Sequence, residues 1–206
     1  SDKVTITGTY SYNTANINAI HIKDCSPTIV LKEVTLSDAG NPQFKYLSTI
    51  LIEGTDATPD HSTLLISGEN KIQRKDHRND ARNYCGIEIR NAELTIDCVE
   101  EGTDCSDENC PHKLTLDIGN TPLAAAIGTR YASNPEGFTL NVKGGYISAS
   151  ANNYGAAIGS CWVNGNTHTN SFVINSNDGY VKAVAGDNGV AIGAGRSDNP
   201  PNEGIV

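Results

Sequence analysis

Apolar and polar residues alternate with a period of two along most of this chain. FTLNV (138–142) and YISA (146–149) alternate and are separated by a Gly-Gly turn; FVINS (172–176) and YVKA (180–183) do the same around Asn-Asp-Gly. The pattern is looser upstream but still legible in TIVLKEVTLSD (28–38), STILIEG (48–54), STLLISGENKI (62–72), GIEIRNAELTID (86–97) and KLTLDIG (113–119). Such alternation, punctuated by glycine turns, predicts short strands and no helices, because no segment sustains a 3.6-residue period.

The strands recur. FTLNVKGGYISASANNYGAAIGS from 138 and FVINSNDGYVKAVAGDNGVAIGA from 172 align without a gap at an offset of 34 residues. Phe138 falls on Phe172, Leu140 on Ile174, Gly145 on Gly179, Tyr146 on Tyr180, Ile147 on Val181 and Ile158 on Ile192. An apolar phrase closes each copy: LAAAIGT (123–129), YGAAIGS (154–160) and NGVAIGA (188–194). Fixed-period self-similarity of this size is the mark of a solenoid. Strands separated by turns and repeated every thirty-odd residues predict the coils of a parallel β-helix, about six to seven of them. In that fold Ile127, Ile158 and Ile192 form one interior ladder, and Gly128, Gly159 and Gly193 serve the sharp corner that follows.

Residues 1–206 read as a single domain of this kind, with irregular coils over 1–97, a Cys-rich acidic loop at 98–112 and regular coils over 113–206. The next strand is due at Ile205, so the sequence predicts a fragment of a longer chain, with an open C-terminal coil available for end-to-end or edge contacts.

Composition narrows the function classes. Aromatics are only 6% and glycines number 20, which suits a core of small and β-branched side chains. A net charge of −9 argues against nucleic acid or an anionic membrane as the partner. No apolar run is long enough to span a bilayer as a helix. The six cysteines lie at 25, 85, 98, 105, 110 and 161, with no C-x-x-C pair. An even count clustered in a polar loop points to disulfides, Cys105–Cys110 above all, and an extracytoplasmic setting; buried thiols acting as small hydrophobes are the alternative.

The succession ITGTY, SPTIVLKEVTLSD, STLLISGEN, CGIEIRNAELTI and GGYISASxxxYGAAIG resembles a family of secreted right-handed β-helix surface proteins of gut bacteria, in which "GG-x-I-x-A…GAGIGGG" coils recur. The resemblance covers nearly the whole chain and is strongest over 123–195. It implies a right-handed β-helix, an extracellular or bacterial cell-surface location and an adhesin-like or carbohydrate-binding role, with a relation in shape to polysaccharide lyases. Two departures stand out: the usual GIGGG is AIGTR, AIGSC and AIGAG here, and the two charged loops lie outside the repeat.

Three sets of residues carry candidate chemistry. Tyr146 and Tyr180 fall at equivalent positions, with Tyr154, Trp162 and Tyr131 nearby, and stacked rings are what a sugar's apolar face needs; an ordinary covering stack is the competing reading. The basic loop offers Arg74, Lys75, Arg78 and Arg82 as an anion clamp for uronate or sulfate, or else as a soluble connection. The acidic loop offers Glu100, Glu101, Asp104, Asp107 and Glu108 to calcium, against the simpler reading of a solvated, disulfide-stapled loop. Histidines are scattered without metal-ligand spacing, and no nucleophile elbow, Walker loop or dinucleotide fingerprint occurs. The expectation is a non-catalytic extracellular adhesion module binding a glycan or a surface protein. A polysaccharide lyase or hydrolase combining the charged loops is the alternative, and a rigid stalk the third reading.

Overall fold

The computed structural model describes residues 3–12, 18–38, 48–55, 60–74, 85–100, 103, 105, 107–119, 124–130, 137–151, 155–160, 172–187 and 189–194. These residues form strands and turns with no helix, as the alternation predicts. The chain lays them down in six successive layers. The first holds β1 (Lys3–Tyr12) and β2 (Ile20–Lys23), and the second β3 (Thr28–Asp38) and β4 (Ile50–Glu53). The third holds β5 (Asp60–Ser67), β6 (Glu69–Gln73) and β7 (Ile87–Arg90), and the fourth β8 (Ala92–Cys98), β9 (Lys113–Asp117) and β10 (Ile127–Thr129). The fifth holds β11 (Phe138–Val142), β12 (Tyr146–Ala151) and β13 (Ala156–Ser160), and the sixth β14 (Phe172–Ser176), β15 (Tyr180–Ala185) and β16 (Val190–Ala194).

Each strand pairs in parallel with its counterpart one layer away and not with its neighbour in the chain. Two curled sheets result. In the ten-stranded sheet the long β3 links two halves: its first part pairs with β5 and its second with β6. The bend between the halves falls at Gly8, Glu33, Gly68 and Gly145, all with positive φ. In the fourth layer that bend is occupied by the acidic cysteine loop, between β8 and β9.

The six-stranded sheet contains the repeated apolar phrase. Its register aligns Ile20, Ile50, Ile87, Ile127, Ile158 and Ile192 in one ladder through all six layers. Ile87, Ile127 and Ile158 are completely buried, each contributing about 1.5–3 kcal/mol of apolar burial. The ten-stranded sheet supplies the facing wall, including Ile29, Leu64, Ile96 and Val142 in one row and the stacked rings of Phe138 and Phe172, 5.4 Å apart.

The glycines of the phrase do not make a corner. Gly128, Gly159 and Gly193 lie inside β10, β13 and β16, paired with one another, at φ near 141°. A Cβ on Gly128 would fall 1.8 Å from the Gly159 carbonyl oxygen, and one on Gly159 1.9 Å from that of Gly193. The layers approach too closely at Gly128 and Gly159 for any side chain, so glycine is fixed at these two positions by the neighbour above.

One buried polar side chain ties three layers together at the bend. Asn70 accepts the Val34 N–H at 2.9 Å and donates to the carbonyls of Ser67, Gly68 and Lys113. Backbone groups that the left-handed turns at Glu33 and Gly68 take out of the ladder are thereby satisfied.

Gly159→Ala and Gly193→Ala separate these effects. Both impose a positive φ on a residue with a Cβ, a strain of about 1–3 kcal/mol. Only Gly159→Ala meets a carbonyl, since nothing lies within 4 Å of a Cβ at Gly193. Thermal melts are expected to show a far larger loss for Gly159→Ala; equal losses would contradict the close stacking.

Candidate functional site

The outward side of the six-stranded sheet carries a buried charge. In GIEIR the isoleucines point inward, so strand alternation sends Glu88 and Arg90 outward. Glu88 is nevertheless only 1% exposed. Its carboxylate accepts the Ser48 hydroxyl at 2.5 Å, pairs with Arg90 Nε, and lies 3.3 Å from Arg130 Nε. Ser48 also accepts the Cys85 N–H at 3.1 Å, and Arg74 Nη1 donates to the Cys85 carbonyl at 3.4 Å. The second nitrogen group of Arg90 reaches Glu53, 3.2 Å away, and His21 and Lys23 flank Glu53 from the first layer at 3.3 and 3.9 Å.

The electrostatics follow from this chain of opposite charges. Burial pushes the Glu53 carboxyl up, but Arg90, with His21 and Lys23, outweighs it and holds the group below its ordinary value of 4.5. Burial likewise disfavours the charge on Arg90, yet Glu88 and Glu53 more than offset it and the guanidinium holds its proton more tightly. Burial, then Glu88, push the Cys85 thiol well above its usual range, which leaves it inert. Glu88 is thus engaged by Arg90, Arg130 and the Ser48 hydroxyl, and Glu53 by Arg90, His21 and Lys23, so the arrangement clamps layers together.

A second cluster forms where the cysteine loop meets the tyrosines. Cys105 and Cys110 are bridged, as the sequence predicts, and Cys98 Sγ lies 3.2 Å from Cys105 Sγ. Burial, together with Asp97 and Glu100, pushes the Cys98 thiol up to about 11. Tyr146 and Tyr180 stack with centroids 5.3 Å apart and planes within 9° of parallel, at the register position the repeat assigned them. Tyr146 is buried against the bridge, with Lys113 Nζ 5.6 Å from its ring centroid, and Tyr180 is partly exposed. Tyr131, Tyr154 and Trp162 lie outside the described residues.

The charged loops divide in the same way. Arg74 is buried beside Cys85, while Lys75, Arg78 and Arg82 fall outside the described residues. In the acidic loop, Glu100 lies 3.8 Å from His112 Nε2, Asp107 is engaged by the N–H and side-chain amide of Asn109, and Glu108 is exposed. Glu101 and Asp104 are not among the described residues. Where metal-ligating side chains do converge among the described residues, they are the sulfurs of Cys98, Cys105 and Cys110, not carboxylates.

Sequence reasoning missed Ser48, Asn70, Glu88, Arg90 and Arg130, and it took His112 for a scattered surface histidine, whereas His112 is buried. Glu88 and Arg90 look like ordinary outward residues of an alternating strand. Their signal is that two charges face out from a strand whose outward neighbour in the layer below is Leu51, which is buried. No protein-family model matches the chain, and neither a curated protein nor a solved structure matches it.

Glu53 gives a pH test. A carboxyl held below its ordinary value stabilises the fold while ionised, and that contribution is lost as pH falls through its folded value, below about 4.5. Thermal stability of the native chain is therefore expected to fall more steeply with acidification below that pH than stability of Glu53→Gln. Parallel profiles would remove Glu53 from the clamp.

Proposed function

We propose that this chain is a right-handed parallel β-helix serving as a non-catalytic extracellular surface module that binds glycan. The observation that carries the non-catalytic reading is the state of Glu88. Its carboxylate is closed off from water and engaged by Ser48, Arg90 and Arg130, and Glu53 beside it is held by Arg90, His21 and Lys23. Glycan hydrolysis or elimination needs a carboxylate or base that meets the substrate, and these groups face one another. The six-layer register, with three strands to each of the last four layers, supports the β-helix; a right-handed turn is the usual sense for parallel crossovers. The bridge between Cys105 and Cys110 supports an oxidising compartment, and no helix among the described residues is long and apolar enough to cross a membrane.

Glycan recognition rests on outward rows that stack across layers. Tyr180 offers a partly exposed ring backed by Tyr146, with exposed Lys182 two residues along the same strand. On the other half of the sheet, Glu93, Asn141 and Asn175 form a hydrogen-bonded line, with 2.8 Å between each successive pair. Planar polar groups and a ring are the components sugar hydroxyls and sugar faces require. The continuous isoleucine ladder equally favours a rigid spacer, the second reading.

Screening the protein against a polysaccharide panel, with calcium and then chelator, separates these readings. Retention without product release is expected, weakened about tenfold by Tyr180→Ala, a loss of about 1.4 kcal/mol, with little change in Tm. Shortened or unsaturated products would overturn the non-catalytic reading, and no retention on any polysaccharide would leave the spacer.

A further inference from the structure

We infer that Cys98, Cys105 and Cys110 form a second, reduced-state site: a three-thiolate pocket for a soft divalent cation of the zinc type. A disulfide needs two sulfurs, but here a third is in contact with the bridge. The three Sγ atoms lie within 4.8 Å of one another, and Cys98 and Cys105 are 3.2 Å apart. Thiolates on one tetrahedral zinc, with Zn–S of about 2.3 Å, sit about 3.8 Å apart, so small side-chain rotations suffice once the bridge opens.

The surroundings suit a cation. Asp97 and Glu100 flank Cys98 with negative charge, and the His112 N–H points at Cys110 Sγ at 3.4 Å, the kind of hydrogen bond that steadies a metal-bound thiolate. Tyr146 and Tyr180 wall the cluster with rings. Gly144 packs closely against the cluster, since a Cβ there would lie 2.6 Å from Asp97 Oδ1 and 3.2 Å from Cys98 Sγ. His112 is not the fourth ligand in this arrangement: its Nδ1 accepts the Gly68 N–H at 3.1 Å, which places the proton of the neutral ring on Nε2. The protein contributes three sulfurs and leaves the fourth position to water or an added ligand.

The chemistry balances with a named reductant. A phosphine takes up oxygen from water as it is oxidised, and the Cys105–Cys110 bond becomes two thiols. The cation then displaces three thiol protons to solvent as three metal–sulfur bonds form.

Cobalt(II) is the probe. The oxidised protein is expected to bind none at this site. After phosphine reduction under anaerobic conditions, one cobalt per chain is expected, with thiolate-to-cobalt charge transfer and the visible bands of a tetrahedral ion, both erased by added zinc. Cys98→Ser, whose Cys105–Cys110 bridge still forms on oxidation, is expected to bind cobalt at least about tenfold more weakly. Absence of charge transfer in the reduced native protein, or equal affinity in Cys98→Ser, would overturn the site. A check free of any variant is alkylation: bound cobalt is expected to protect all three cysteines from iodoacetamide, and equal modification with and without cobalt would also overturn it.

Discussion

Parallel pairing at about 4.8 Å per layer places every side chain directly beneath its counterpart in the next layer. That constraint accounts for most of the sequence. Six isoleucines stand in register in one column, buried in the middle layers, and the residues beside them become alanine as the wall turns inward. Where backbone meets backbone, at Gly128 and Gly159, no side chain fits at all. The opening repetition of AIG is the written form of this contact: a side chain sized for the column, then none.

Polar groups answer the same constraint differently. Inside the bend, Asn70 supplies hydrogen bonds that the turning backbone lacks. Outside the six-stranded sheet, the layers present charges of alternating sign to one another, from Lys23 through Glu53 and Arg90 to Glu88 and Arg130. Because a buried carboxylate without cations would cost several kcal/mol, Glu88 depends on its partners, and the clamp spans layers that the isoleucine ladder already joins. The cysteine loop occupies the bend between β8 and β9, and there it meets the stacked tyrosines.

The regular half of the fold was legible because its repeat is nearly literal. Ile158 with Ile192, and Tyr146 with Tyr180, stand in the register that the 34-residue offset assigned, and Ile127 joins the same column 31 residues before Ile158. Ile20, Ile50 and Ile87 belong to the same column but sit in IHIK, ILIE and IEIR, whose outward residues share nothing with AIG. The glycines were recognised as necessary but given the wrong task, since a corner and a close backbone approach call for the same residue. The candidate sites were harder. Arg74 looked like part of a solvated basic run, yet it is buried with Cys85. The contact of Cys105 and Cys110 with Tyr146 joins residues more than thirty positions apart, and periodicity alone does not fix where an inserted loop folds back.

The stacked isoleucine–glycine column is expected to be the most stable part of the molecule. Native-state amide hydrogen exchange measures this directly, strand by strand. The account predicts greatest protection at the amides of β7, β10 and β13, and least at β14, β15 and β16, where Val173 and Ile192 are about half exposed. Exchange at Ile127 and Ile158 as fast as in the sixth layer would contradict it.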